Sequence, residues 1–183
     1  MPPAIDRVFE RRLASLINSG EPRILQGGRK GIEKESLRVT PDAGLAQTPH
    51  PRALGSALTN EHLTTDYSEA LIELVTPTFT KSWELLQYLL DLHQFVYRHL
   101  DDELLWATSM PCSIESDEEI PIARYGTSNV AKMKTIYRNG LGIRYGRMMQ
   151  AISGVHFNYS FPGRFWESYA SVRQSHDQGR DFV

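Results

Sequence analysis

The chain of 183 residues holds one cysteine, Cys112. No internal disulfide can form, which fits a reducing compartment, and the expected setting is the cytoplasm. No base stands close to Cys112 in the sequence, so a nucleophilic thiol has no local support. No apolar run approaches the roughly 18 residues of a membrane span. The opening Met-Pro-Pro-Ala-Ile-Asp-Arg lacks the apolar stretch of a signal peptide, so neither a membrane nor a secretory route is expected. The formal net charge of -2 excludes bulk electrostatic attraction to nucleic acid. The phosphate-loop spacing Gly-x-x-x-x-Gly-Lys-Ser/Thr is absent, as is Gly-x-Gly-x-x-Gly. Residues 26–31 (Gln-Gly-Gly-Arg-Lys-Gly) therefore read as a turn into a strand. Serine, histidine and aspartate are all present, but no triad arrangement has local context.

Charge of one sign is also missing locally. Seven acidic residues and no basic ones lie from Asp101 to Glu119, and seven basic residues and no acidic ones from Pro121 to Trp166. The basic set is Arg124, Lys132, Lys134, Arg138, Arg144, Arg147 and Arg164. This stretch runs through residues 155–161 (Val-His-Phe-Asn-Tyr-Ser-Phe), which alternate as a strand. His156, Asn158 and Ser160 share one face; Phe157 and Tyr159 lie on the other and are expected to pack into the core. Two readings stand for that polar face: an ordinary wet strand face, or a site for anions such as phosphates and carboxylates.

With 40% hydrophobic and 23% charged residues the composition suits a globular fold. Ile5, Phe9, Leu13, Leu16 and Ile17 predict a helix that ends near Asn18-Ser19-Gly20. Residues 31–39 and 69–76 read as strands. The spacing of Trp83, Leu86, Leu89, Leu90, Val96, Tyr97 and Leu100 predicts the clearest helix, capped by Thr80 or Ser82. Residues 127–129 can cap a further helix that stops at Asn139-Gly140. Residues 147–152 read as a strand leading into 155–161, and a helix starts near Phe165.

Glu33 and Glu35 are two apart on a strand and so project from one face, roughly 6.6 Å apart along the chain. Two carboxylates that close want water, cations or a metal ion. Glu73 interrupts an otherwise apolar run, so it faces solvent, a basic partner or a metal. Asp66 has the opposite parity and shares a site with Glu73 only if it lies in the loop before the strand, or if a bulge intervenes. Four carboxylates with His156 form an oxygen-rich set suited to Mg²⁺ or Mn²⁺ more than to Zn²⁺; exposed acids at sheet edges are the other reading. Tyr137 and Arg138 could meet a substrate, or could be a core aromatic beside a solvated arginine.

Several blocks resemble one family in series. They are 31–39 (Gly-Ile-Glu-Lys-Glu-Ser-Leu-Arg-Val), 53–59 (Ala-Leu-Gly-Ser-Ala-Leu-Thr) and 64–73 (Thr-Thr-Asp-Tyr-Ser-Glu-Ala-Leu-Ile-Glu), then 109–112 (Ser-Met-Pro-Cys), 124–129 (Arg-Tyr-Gly-Thr-Ser-Asn) and 152–158 (Ile-Ser-Gly-Val-His-Phe-Asn). In order and over nearly the whole chain they resemble the proteobacterial type of glutamate–cysteine ligase. The resemblance implies an α+β, glutamine synthetase-like fold: a curved, mainly antiparallel sheet with helices packed outside. It implies an enzyme that joins glutamate to cysteine with ATP, through a γ-glutamyl phosphate, in the first step of glutathione synthesis. A related ligase with another amine acceptor, or a non-catalytic remnant that binds metal or a longer chain, are the alternatives.

By the same resemblance Glu33, Glu35, Asp66, Glu73 and His156 match metal-site residues that hold Mg²⁺ around ATP and glutamate. Tyr67, Tyr137, Arg138, Leu141 and Gln150 match positions in or near the cysteine pocket, with Tyr67 standing where a Phe is expected. The expected partners are glutamate, cysteine and ATP. Family members run longer, so residues 1–183 are expected to be the N-terminal part of one catalytic domain. Alone they are expected to be inactive and prone to self-association.

Overall fold

The computed structural model describes residues 4–18, 23–110 and 113–178. The stop at Asn18-Ser19-Gly20 and Cys112 fall wholly or partly outside them. The chain divides into two compact units, Lys30–Asn158 and a smaller one made of Met1–Arg29 with Tyr159–Val183. Architecturally it is α+β, an antiparallel sheet with helices.

The larger unit is organised by β1 (Arg29–Val39). This strand pairs antiparallel with β3 (Leu71–Val75), which in turn pairs with β2 (Leu63–Thr64). Its far end pairs with β4 (Leu104–Leu105), and β5 (Val155–Ser160) also joins β1. The β1–β3 register sets Lys34 opposite Leu74, Glu35 opposite Glu73, Ser36 opposite Ile72 and Leu37 opposite Leu71. Because side chains alternate, this ladder has two distinct faces. One carries Leu74 and Ile72 and is covered by α2 (Ser82–Tyr97), where Leu63, Val96, Leu100 and Leu105 complete the core. The other begins with Glu33, Glu35 and Glu73 and turns apolar at Leu37 and Leu71, which pack with Leu45, Tyr67, Ile114 and Ile120. A sheet face that changes from polar to apolar along its strands places a site beside a core.

The expected strands over 31–39 and 69–76 are both present, slightly shifted. The helix over 82–97 is present too, but Lys81 is its N-cap and no side chain caps it. The third helix, α3 (Asn129–Tyr145), starts as expected, with Ser128 Oγ accepting from Ala131 N at 3.2 Å. It does not stop at Gly140. It runs on to Tyr145, and Gly142 lets it approach Tyr67, where a Cβ would clash with the phenol oxygen. The chain turns at Gly146 with φ 81°, a conformation that favours glycine.

The strand expected at 147–152 is instead a short helix, α4 (Arg147–Gln150). Asp117 decides this: its two carboxylate oxygens accept from Arg147 N at 2.8 Å and Met148 N at 2.9 Å. These hydrogen bonds hold the Asp117 carboxyl below its ordinary pKa. A carboxylate from the acidic stretch thus caps a helix in the basic one.

The smaller unit holds α1 (Ala4–Asn18) and α5 (Gly163–Gln178), which pack together. Phe9, Leu13, Leu16, Leu25, Phe161 and Phe165 line an apolar groove of about 690 Å³. Among the described residues no helix is long and apolar enough to cross a membrane.

One packing expectation fails. Phe157 is 61% exposed and Tyr159 42%, although the alternation along β5 placed both in the core. The alternation itself holds, because His156 and Asn158 both reach Glu33. On the other side Tyr159 packs against Gly28 and reaches the Leu25 carbonyl, while Val155 and Phe157 stay open.

Candidate functional site

Three carboxylates gather on the sheet face that α2 leaves open. Glu33 and Glu35 project from β1, and Glu73 projects from β3 directly opposite Glu35. Side chains so opposed have Cβ atoms about 4.5–5.5 Å apart, and like charges there repel. From β5, His156 Nδ1 lies 3.3 Å from Glu33 Oε2, and the Asn158 amide donates to Glu33 Oε1 at 2.9 Å. Glu35 Oε2 accepts from Gly154 N at 2.8 Å, which ties the start of β5 to the same face.

The electrostatics match this crowding. Burial pushes the Glu73 carboxyl up to about 7, and the charges of Glu35, Asp66 and Glu33 add to it while His156 opposes it. Glu35 is also raised, first by burial, with Asp66 and Glu33 adding and the Gly154 N–H and His156 opposing. A cation on this face would relieve both groups.

Asp66 lies in the loop before β3, which meets the condition its parity set. Its Oδ1 accepts from Arg138 Nη2 at 2.7 Å. Arg138 Nε also donates to the Asp66 backbone carbonyl, and its guanidinium lies over the Tyr125 ring, 4.7 Å from the centroid. Tyr137 is exposed on α3, and Leu141, partly buried, packs against the core. Gln150, also partly buried, ends α4. Tyr67 is 2% exposed and belongs to the core, and its enclosed hydroxyl has no hydrogen-bond partner among the described residues.

The glutamate–cysteine ligase family model matches residues 13–183. This chain belongs to that family. It is 52% identical over 175 residues to the glutamate–cysteine ligase of Alcanivorax borkumensis, covering 96% of this chain and 33% of that one. Against the Pseudomonas putida enzyme it is 49% identical over 178 residues, covering 97% of this chain and 34% of the other. A crystal structure of glutamate–cysteine ligase from Francisella tularensis in complex with AMP superposes with a TM-score of 0.74 at 40% identity, over 81% of this chain and 30% of that one. A bifunctional glutathione synthetase from Pasteurella multocida gives a TM-score of 0.76 at 29% identity, over 85% of this chain and 20% of that one. The chain spans about a third of the length of the curated relatives it matches.

In this glutamate–cysteine ligase family member the carboxylate face fits a divalent cation in donor type and in electrostatic demand. Oxygen donors are what Mg²⁺ takes, and burial, then neighbouring carboxylates, hold the Glu73 and Glu35 carboxyls above their ordinary range. Among the described residues no three of the His, Cys, Asp and Glu side chains close around one point as they stand. The face therefore supplies donors without forming a finished cage.

Asn158, which alternation had placed with His156 on the polar face, holds Glu33 Oε1, and two further contributors escaped the sequence reading. Gly154 acts through its backbone N–H, which no side-chain pattern reveals. Tyr125 lies beneath Arg138, and its sequence position carries no sign of that.

Proposed function

We propose that this chain is the N-terminal third of an ATP-dependent ligase that joins the γ-carboxylate of glutamate to the amine of cysteine, acting in the cytoplasm. The supporting observation is the facing pair Glu35 and Glu73, joined by Glu33 on one open sheet face, in a chain of this family. In the reaction the γ-carboxylate takes the terminal phosphoryl group of ATP, ADP leaves, and the cysteine amine displaces phosphate from the acyl phosphate.

Mg²⁺ or Mn²⁺, when bound, would neutralise charge on the phosphoryl oxygens. Glu33, Glu35 and Glu73 are the residues that would hold it, with Asp66 and His156 at the margin. His156 and Asn158 orient Glu33 by hydrogen bonds to its two oxygens. The Gly154 N–H does the same for Glu35. Arg138 holds Asp66, and Tyr137, Leu141 and Gln150 would shape the acceptor side.

The test is an assay of the full-length enzyme with glutamate, cysteine, ATP and Mg²⁺. Equal amounts of γ-glutamylcysteine and ADP are expected, with loss of both on chelation. Dipeptide formation that continues without any divalent cation would remove the cation role of the carboxylate face. A different amine acceptor used in preference to cysteine would move the enzyme to a related ligase.

A further inference from the structure

Tyr125 is 5% exposed and sits at the point where the Asp66 loop meets α3. Its hydroxyl lies 2.8 Å from the Thr65 carbonyl and 2.7 Å from the Asp66 carbonyl, so one proton serves two adjacent acceptors. Its ring carries two cations, Lys134 Nζ at 4.6 Å and the Arg138 guanidinium at 4.7 Å from the centroid. Arg138 also donates to the Asp66 carboxylate, the Asp66 carbonyl and the Lys134 carbonyl. Asp66 is therefore held three ways: at its carboxylate by Arg138, and at its backbone by both Arg138 and Tyr125. The side chain of Arg138 is 12% exposed and that of Asp66 55%, so the pair has a buried root and an open carboxylate.

A free arginine side chain has many rotamers, and fixing one costs entropy that an aromatic platform offsets by stacking on the guanidinium plane. An aspartate in a bend before a strand is similarly mobile unless its backbone is tied. We propose that Tyr125 is a positioning residue of the acceptor side, acting through Arg138 and Asp66 by holding the first with its ring and the second with its hydroxyl. The inference rests on the ligase reading, because it concerns Arg138, placed near the amine acceptor, and Asp66, placed at the margin of the carboxylate face. Tyr125 itself is buried, so its part is indirect.

Tyr125→Phe is the informative variant, since it keeps the ring and the packing against Ala57, Ala123 and Ala131 and removes one oxygen. In the full-length enzyme it is expected to lower kcat/KM for cysteine by about threefold to tenfold, the scale of one hydrogen bond, with a smaller loss for ATP. Arg138→Met is expected to cost more. In the double variant the Tyr125→Phe step is expected to cost less than about twofold further, because the hydroxyl acts by holding Asp66 in place for Arg138, and that pair is already gone. Wild-type kcat/KM for cysteine in Tyr125→Phe, an equal loss for ATP, or the same fold-loss retained in the double variant would each overturn the proposal. A wild-type enzyme that makes no dipeptide would overturn the ligase reading, and this inference with it.

Discussion

Glu35 faces Glu73 directly across the β1–β3 ladder, and no lysine or arginine pairs with either among the described residues. Like charges so placed weaken a sheet. The fold carries this cost on a face where Glu33 adds a third carboxylate, and such local inconsistency marks functional surfaces more often than structural ones.

Stability should therefore depend on pH. Glu73 is raised from 4.5 to about 7 in the folded chain. Below 4.5 the carboxyl is protonated both folded and unfolded, and nothing is lost. As pH rises from 4.5 through 7 the unfolded chain ionises first, so stability falls across that window and the loss is complete above it. Glu35, raised in the same direction, adds to the trend. Glu73→Gln should gain about 1–2 kcal/mol over the parent at pH 8, after allowance for solvent screening of a partly exposed group. At pH 4 the two should match. Urea unfolding at both values measures the difference, and a pH-independent difference would contradict the electrostatic reading.

Arg38 supplies a contrast on the α2-covered side of β1. It is 1% exposed, pairs with Glu103, and also donates to Thr48 and to the Glu69 carbonyl. Removing one partner of a buried pair leaves the other uncompensated. Glu103→Gln should therefore destabilise the chain by about 3–5 kcal/mol, less if water reaches Glu103. Arg38→Met, which removes the buried charge, should cost less than Arg38→Ala, which also leaves a cavity. Denaturant midpoints for the three variants test the order, and a harmless Glu103→Gln would show that the pair is incidental.

Periodicity carried much of this arrangement. The parity of Glu33 and Glu35, the apolar spacing of α2 and the alternation of His156 with Asn158 all follow from local geometry, and each is present in the fold. What stayed hidden depends on partners distant in the chain. Residues 147–150 form a helix because Asp117, thirty residues earlier, caps them. Gly140 does not end α3, and the glycine at 142 serves instead a close approach to Tyr67, 75 residues earlier. Phe157 and Tyr159 lie on the apolar side of β5, as alternation requires, but a strand pattern does not say whether that side is covered. Tyr125 reads as one more aromatic until Arg138 and Asp66 are brought to it.

Glu33 is the best-supported of the three acids, with His156 and Asn158 on its two oxygens. Glu33→Gln in the full-length enzyme should lower kcat by a hundredfold or more, on the scale of about 3 kcal/mol of lost charge stabilisation. Its melting temperature should change little, because the residue lies on an open face. Near-normal turnover at saturating Mg²⁺ would make Glu33 structural.

The last prediction concerns the 183-residue chain by itself. Every residue of β5 is exposed, and Val155 and Phe157 are 63% and 61% exposed on its apolar side. Among the described residues β5 pairs with β1 and with no other named strand. An apolar edge strand of this kind is a template for another chain. The purified chain should therefore self-associate, and should form no γ-glutamylcysteine from glutamate, cysteine, ATP and Mg²⁺, since it spans about a third of its relatives. Light scattering behind size exclusion measures the first part. Phe157→Lys places a charge on the exposed face without touching Glu33 or Glu35, so it should shift the population toward monomer while leaving the chain inactive. A monodisperse parent chain that produces dipeptide and ADP in equal amounts would overturn both parts.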